Sequence, residues 1–397
     1  MKSIVLPAAK NVISIDELFS SCKNLKSIDV TPLELVTISA GVVQNGIGAA
    51  NYKQVFYECS LLESIIGYQD WNVSGAADFN QLFAGCRVLT SIDLTKWRLG
   101  SRASSLKEMF LGCEKLQVIK GLREIVGVEA SGDDCYDSKG ISLTAVDGMF
   151  QNCQVLQLGI NGDVDKCDLR LWDYALSGVE SFANMFANCK AITNIFNIFS
   201  FGTGSNVDST RPYVGRYCKY PKLTTFSGMF NGCSNITNVS YFTTKFTIGS
   251  GSGTTPSITS ISYMAANCPL INTFMFTPNG ADFSSLSADG MQGFVEGCTK
   301  LSSISLITGN TLKKSVYLNT LGLNEESPFR KEASLWTTLY DNLSKTCYDF
   351  VKADKVPSID TNEGVIYLPS TVFVQSAHDA FKDSKLAEMG WLGYNKS

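Results

Sequence analysis

The sequence predicts an α/β solenoid of about nine stacked repeats, each a short helix, a turn and a short strand, closed by a non-repeating α/β cap. Three observations predict it. Nine of the 13 cysteines sit inside one recurring pattern. The composition, 44% hydrophobic and 18% charged, is apolar enough to bury a core and too uncharged for a disordered chain. At 397 residues the chain also exceeds the roughly 250 to 300 residues at which one globular core stops growing.

The pattern is read by aligning the chain on Cys22, Cys59, Cys86, Cys113, Cys153, Cys189, Cys233, Cys268 and Cys298. Three residues before the cysteine stands Phe in seven copies: Phe19, Phe56, Phe83, Phe110, Phe150, Phe186 and Phe230. The residues four and seven before it are apolar or aromatic in all nine, with Ile15, Phe182 and Met291 among the latter. Those three positions share one face of a helix that turns every 3.6 residues, so a short amphipathic helix is expected before each cysteine. The residue just before the cysteine is Gly in four copies (Gly85, Gly112, Gly232, Gly297) and Asn in three (Asn152, Asn188, Asn267). Gly and Asn most readily take the left-handed conformation that ends a helix.

Three residues after the cysteine stands Leu or Ile in every copy, such as Leu25, Leu89, Ile192 and Leu301, and six after stands an apolar residue in eight of nine, such as Ile28, Ile92, Ile195 and Ile304. This alternation reads as a turn running into a short strand with one buried face. Such small elements cannot bury their apolar faces alone, so each unit must cover the next. The cysteines recur every 27 to 44 residues, which places the variation in the connection from strand to next helix and puts those connections on one side of the array.

The repeats are expected to occupy residues 1–311, and residues 312–397 do not repeat. In that second segment Leu335–Leu343 reads as a helix, Val365–Leu368 as a strand closed by Pro369, and Phe373–Met389 as a second helix. An array needs an atypical end unit, so this segment reads as a cap or an attachment domain.

The residues from Trp172 to Ile195 (WDYALSGVESFANMFANCKAITNI) resemble the BspA-like branch of leucine-rich repeats. They carry its Trp-Asp opening, its Met-Phe-x-x-Cys helix end and, as Ile192-x-x-Ile195, its Leu-x-x-Ile strand. Phe79–Leu94 and Phe226–Val239 match similarly, and Trp71 and Trp97 hold positions equivalent to Trp172. The resemblance covers about residues 12–306 and departs from the pattern at Gly159, Ala265 and Val295. It implies a leucine-rich-repeat-type solenoid that binds rather than catalyses. Proteins similar to this are surface adhesins and virion-associated proteins of gut bacteria and their tailed phages.

The sequence offers little chemistry. Its one histidine, His378, lies in an expected C-terminal helix, so no His-based mechanism or His-rich metal site has material to work with. No Cys-x-x-Cys pair occurs, which argues against zinc ribbons and redox dithiols. The repeat cysteines read as small buried hydrophobes, one per unit. Cys135, Cys167, Cys218 and Cys347 lie outside the pattern and read as the more reactive thiols. Asp163, Asp165 and Asp168 lack the glycine and closing Glu of a calcium loop. The run Gly249–Gly253 lacks the Lys of a phosphate loop. No catalytic residue, metal ligand or cofactor is assigned.

Net charge is -4 with no long basic run, so nucleic acid has no electrostatic foothold. No apolar stretch reaches the roughly 18 residues that span a bilayer, and neither membrane insertion nor a conventional signal peptide is expected. The contact surface is placed on the longest connection, between Cys189 and Cys233, where Arg211, Tyr213, Arg216, Tyr217 and Tyr220 crowd into ten residues. Tyr and Arg dominate binding hot spots. The competing reading is a long loop whose tyrosines fold back on the array. The expected function is a non-enzymatic scaffold that binds a protein or surface glycan of a host or of a larger particle, exposed on a virion or cell surface. An intracellular interaction scaffold and a carbohydrate-active enzyme on a repeat framework are the alternatives.

Overall fold

In the computed structural model of this protein short parallel strands predominate and helices are few. The structure describes residues 3–12, 14–35, 51–122, 124–126, 141–157, 169, 172, 175–193, 218–220, 222–237, 239, 246–248, 258–276, 288–301, 303–306, 315–318, 328–341, 365–368, 375–388 and 392–395. The chain divides into two compact units, Met1–Ile192 with Phe196–Cys218, and Thr193–Ile195 with Lys219–Ser397. The expected boundary between residues 311 and 312 lies outside the described residues.

The segment before each cysteine corrects the sequence reading, because it is a chain of tight turns rather than the expected short helix, with one helical turn, Ala288–Met291, leading into the last copy. At every one of the nine copies the fifth and the first residue before the cysteine have positive φ, between 52° and 77°. Glu17 and Ser21 do so before Cys22, and Gly293 and Gly297 before Cys298. Left-handed residues spaced four apart cannot belong to an α-helix, whose residues all lie at negative φ. They are instead the third residues of successive turns closed by hydrogen bonds three residues back, as Leu18 N–H to the Ile15 carbonyl (3.1 Å) and Cys22 N–H to the Phe19 carbonyl (3.1 Å).

What stabilises this conformation is the neighbouring unit. The amide of the residue three before one cysteine donates to the carbonyl four before the next, in the same register at each step. In the first unit these are Phe19 to Val55 (2.9 Å), Phe56 to Leu82 (2.9 Å), Phe83 to Met109 (2.9 Å), Phe110 to Met149 (3.0 Å) and Phe150 to Met185 (2.9 Å). In the second they are Phe230 to Met264 (2.8 Å) and Ala265 to Phe294 (2.9 Å). A helix would use all its amides internally, whereas here alternate amides join one repeat to the next. A left-handed non-glycine residue costs about 1–2 kcal/mol, which these bonds and the packing beneath them offset.

The side chains stack with the same period. The rings of Phe19, Phe56, Phe83, Phe110, Phe150 and Phe186 form a column of near-parallel pairs with centroids 5.4–5.7 Å apart. Beside it runs a column of thiols. Each Sγ donates to the Phe carbonyl of the preceding repeat, from Cys59 to Phe19 (3.0 Å), Cys86 to Phe56 (3.2 Å), Cys113 to Phe83 (3.1 Å), Cys153 to Phe110 (3.1 Å) and Cys189 to Phe150 (3.0 Å). In the second unit Cys268 reaches Phe230 and Cys298 reaches Ala265, both at 3.1 Å. The same Phe carbonyl already accepts its own cysteine's amide, so the thiol fills the second lone pair of a buried acceptor. Cysteine suits the position because it is small, apolar and still carries a donor. Eight of these thiols are buried and unbridged, while Cys22 is only half-buried.

Strands follow as expected after Cys22, Cys59, Cys86, Cys113, Cys268 and Cys298, whereas the expected strand residue Ile195 lies outside the described residues. Ser27–Asp29 pairs in parallel with Ser64–Ile66, placing Ile28 beside Ile65, and Ser91–Asp93 pairs with Val118–Lys120, placing Ile92 beside Ile119. These four isoleucines are buried, and the residues flanking them face outward or lie at the surface. In the second unit Thr273–Phe276 pairs with Ser303–Leu306. A separate three-stranded parallel sheet near the C-terminus orders Ser315–Tyr317, Val365–Leu368 and Leu392–Asn395. The expected Val365–Leu368 strand is therefore its centre. Residues 333–341 are helical, and the expected last helix is two, Gln375–Lys382 and Lys385–Glu388. Trp336 and Tyr340 anchor this part, with Trp336 Nε1 donating to the Phe329 carbonyl (2.6 Å) and the Tyr340 hydroxyl to the Ala377 carbonyl (3.0 Å).

Candidate functional site

Arg211, Tyr213, Arg216 and Tyr217, the residues that the sequence nominates for contact, lie outside the described residues. Tyr220 ends the strand Cys218–Tyr220, and its side chain likewise lies outside them. Among the spare cysteines, Cys135, Cys167 and Cys347 fall in the same category.

The described surface carries a different convergence of polar side chains, on two successive strand-to-turn connections of the first unit. The first begins at Gly67, whose φ of 90° turns the chain against Thr31 into the short 3₁₀ turn Tyr68–Asp70. The second passes from Leu94 to Arg98. Buried Tyr68 joins them, because its hydroxyl accepts the Asp93 amide (2.6 Å) and its carbonyl accepts Trp97 Nε1 (3.1 Å). Above this seam Lys96 forms an ion pair with Asp70, both side chains well exposed.

A shallow cleft of about 250 Å³ opens there, lined by Gln69–Ser74 together with Lys96 and Arg98. Asn72 Oδ1 accepts both the amide (3.1 Å) and the hydroxyl (2.7 Å) of Ser74, which fixes the carboxamide and leaves its Nδ2 donors without a partner among the described residues. Arg98 Nη1 donates to the Thr95 (2.8 Å) and Trp97 (2.6 Å) carbonyls. Its Nε and Nη2 have no partner among the described residues. Trp71 closes the floor. Its Nε1 is buried without an acceptor among the described residues, whereas the equivalent Trp97 and Trp172 donate to the Tyr68 and Leu122 carbonyls.

Other ionisable groups are absorbed by structure. The Thr31 hydrogen bonds to Asp29 and the Thr95 hydrogen bonds to Asp93 hold both carboxyls below the usual range, and in each case the carboxylate closes a turn. Burial pushes the thiols of Cys59 and Cys113 up to about 12, so they remain protonated at neutral pH. They are poor nucleophiles and poor metal ligands there. The sequence signal for the cleft is faint: it lies in the Trp residues of the repeat opening and in the single Lys and Arg that flank the second of them, Trp97.

Residues 45–125 match the family described as "Mycoplasma protein of unknown function, DUF285". A leucine-rich repeat protein from Bacteroides ovatus ATCC 8483 is similar to this chain at 15% identity, covering 77% of this chain and 68% of its own, with a TM-score of 0.30. No curated protein matches the chain. Among the described residues no helix is long and apolar enough to cross a membrane.

Proposed function

We propose that this chain is a leucine-rich-repeat-type solenoid of about nine repeats, of the BspA-like kind, acting as a non-enzymatic scaffold that binds a macromolecule. The observation that carries this reading is the division of labour within each repeat. The Phe, Cys and Ile columns are consumed in joining one repeat to the next, while the connections present charged and carboxamide side chains outward, as at Asp70, Asn72, Lys96 and Arg98. A framework of identical joints with variable connections suits recognition more than catalysis. The partner is a protein or surface glycan of a host or of a larger particle. Exposure on a phage virion or a bacterial surface follows from the resemblance to adhesins and virion proteins.

Mass spectrometry of purified particles and of cell fractions tests the placement. Recovery in particles or in the protease-accessible surface fraction is the expected result, and recovery in the cytosol alone would replace this reading with an intracellular interaction scaffold. The longest connection is the first contact surface to test. Truncating Tyr213 and Tyr217 to Ala together should weaken association with surfaces or particles by about 2 kcal/mol or more while leaving stability unchanged. Loss of stability with binding intact would make that segment structural.

A further inference from the structure

We propose that the cleft between the Gln69–Ser74 and Lys96–Arg98 connections binds one carboxylate-bearing sugar unit of an acidic glycan. This rests on the binding-scaffold reading and names the ligand class of one site on it. The first argument is the balance of hydrogen-bonding groups. Arg98 offers Nε and Nη2, Asn72 offers Nδ2, and the Gln69 carboxamide has no partner among the described residues, so uncommitted donors outnumber the acceptors supplied by Asp70 and Gln69. Lys96 adds a second cation. Its pair with Asp70 lies at the surface, where solvent screens it, so exchanging it for a ligand carboxylate costs little.

The second argument is Trp71. Two equivalent tryptophans satisfy their indole N–H on the main chain of the repeat before, and among the described residues Trp71 has no such acceptor. Trp71 lines the cleft, so its indole N–H resonance reports on an occupant. The third is size and polarity. At about 250 Å³ the cleft is smaller than the roughly 300–1,000 Å³ of drug-sized sites and takes one ring of a polymer. Its only apolar members, Trp71 and Val73, are buried. A peptide anchor would need an open apolar pocket, whereas a hydroxylated ring with a carboxylate needs planar polar groups and a guanidinium.

The test uses the full chain with trigalacturonate as the acidic probe, galactotriose as the neutral one and triglutamate as the acidic peptide. Titration is followed by calorimetry and by the indole N–H resonances, with the Trp71 signal identified by its loss in Trp71→Phe. Saturable binding of trigalacturonate that shifts the Trp71 resonance and leaves those of Trp97 and Trp172 in place is the expected result. Arg98→Gln should weaken it about tenfold and Lys96→Gln should weaken it less, both without lowering the thermal midpoint. Galactotriose binding as tightly, triglutamate binding more tightly, or an unmoved Trp71 resonance would each overturn the proposal. Failure here with the protein still found on surfaces removes the ligand class alone. Binding here by a protein confined to the cytosol removes the surface reading instead.

Discussion

Replacing Cys113 with Ala tests the thiol column directly. Cys113 is fully buried, and its Sγ lies 3.1 Å from the Phe83 carbonyl, which also accepts the Cys86 amide at 3.1 Å. The substitution removes one of two donors from a buried acceptor, so the carbonyl keeps a partner and escapes the full desolvation cost. Loss of the sulfur removes burial comparable to about one methylene, roughly 0.8 kcal/mol. The space it leaves, held open by the rings of Phe83 and Phe110 at 5.7 Å, adds about half as much again, and the weak S–H bond contributes a further few tenths to 1 kcal/mol. The expected destabilisation is therefore about 2 kcal/mol. Urea unfolding followed by circular dichroism measures it, with hydrogen exchange of the Gly85, Cys86 and Gly112 amides as a local readout, because repeat arrays can unfold unit by unit. An unchanged urea midpoint together with unchanged exchange at these amides would refute the argument that the thiol is a packed donor. Lys115→Ala, at an exposed position of the same repeat, should change neither.

Three further outcomes follow from the same geometry. Under native conditions a thiol reagent should modify half-buried Cys22 well before Cys86 or Cys113, read by peptide mass spectrometry, and equal rates would mean that the column is open. Stability should fall as pH rises above the ordinary thiol value of 9.0, because the unfolded Cys113 ionises there while burial keeps the folded one protonated up to about 12. Its contribution is complete below pH 9 and declines by about 1.4 kcal/mol per pH unit between 9 and 12, a slope that Cys113→Ala should reduce in alkaline unfolding curves. Two glycines separate conformation from space. At Gly112 (φ 71°) an added Cβ meets only Gly85, at 3.8 Å, so Gly112→Ala should cost about 1 kcal/mol. At Gly121 (φ 72°) it falls 2.5 Å from the backbone of Thr95, so Gly121→Ala should cost well over 2 kcal/mol in the same assay.

The sequence by itself determined which residues are buried and with what period. Because burial follows side-chain chemistry, the apolar side chains three, four and seven before each cysteine, the cysteine itself and the described isoleucines after it read correctly, except in the first copy, where Leu18 is exposed and Cys22 half-buried. The left-handed residue just before the cysteine was legible too, since Gly and Asn announce it. The backbone conformation between these points was not. Turns that place a left-handed residue every four positions bury nearly the same side chains as a helix with 3.6 residues per turn, and hydrophobic spacing cannot separate them. A local signal existed in Gly148, Asn184, Gly228 and Gly293 five before their cysteines, but Glu17, Gln54, Gln81, Glu108 and Tyr263 obscure it in the other copies. Those five accept an unfavourable φ only because the next repeat takes their own amides, in bonds between residues 26 to 39 positions apart that no local pattern encodes. The cleft has the same origin. Asp70 and Lys96 are 26 residues apart and unremarkable in sequence, and the stacking of two repeats is what sets them, Arg98 and Trp71 around one opening.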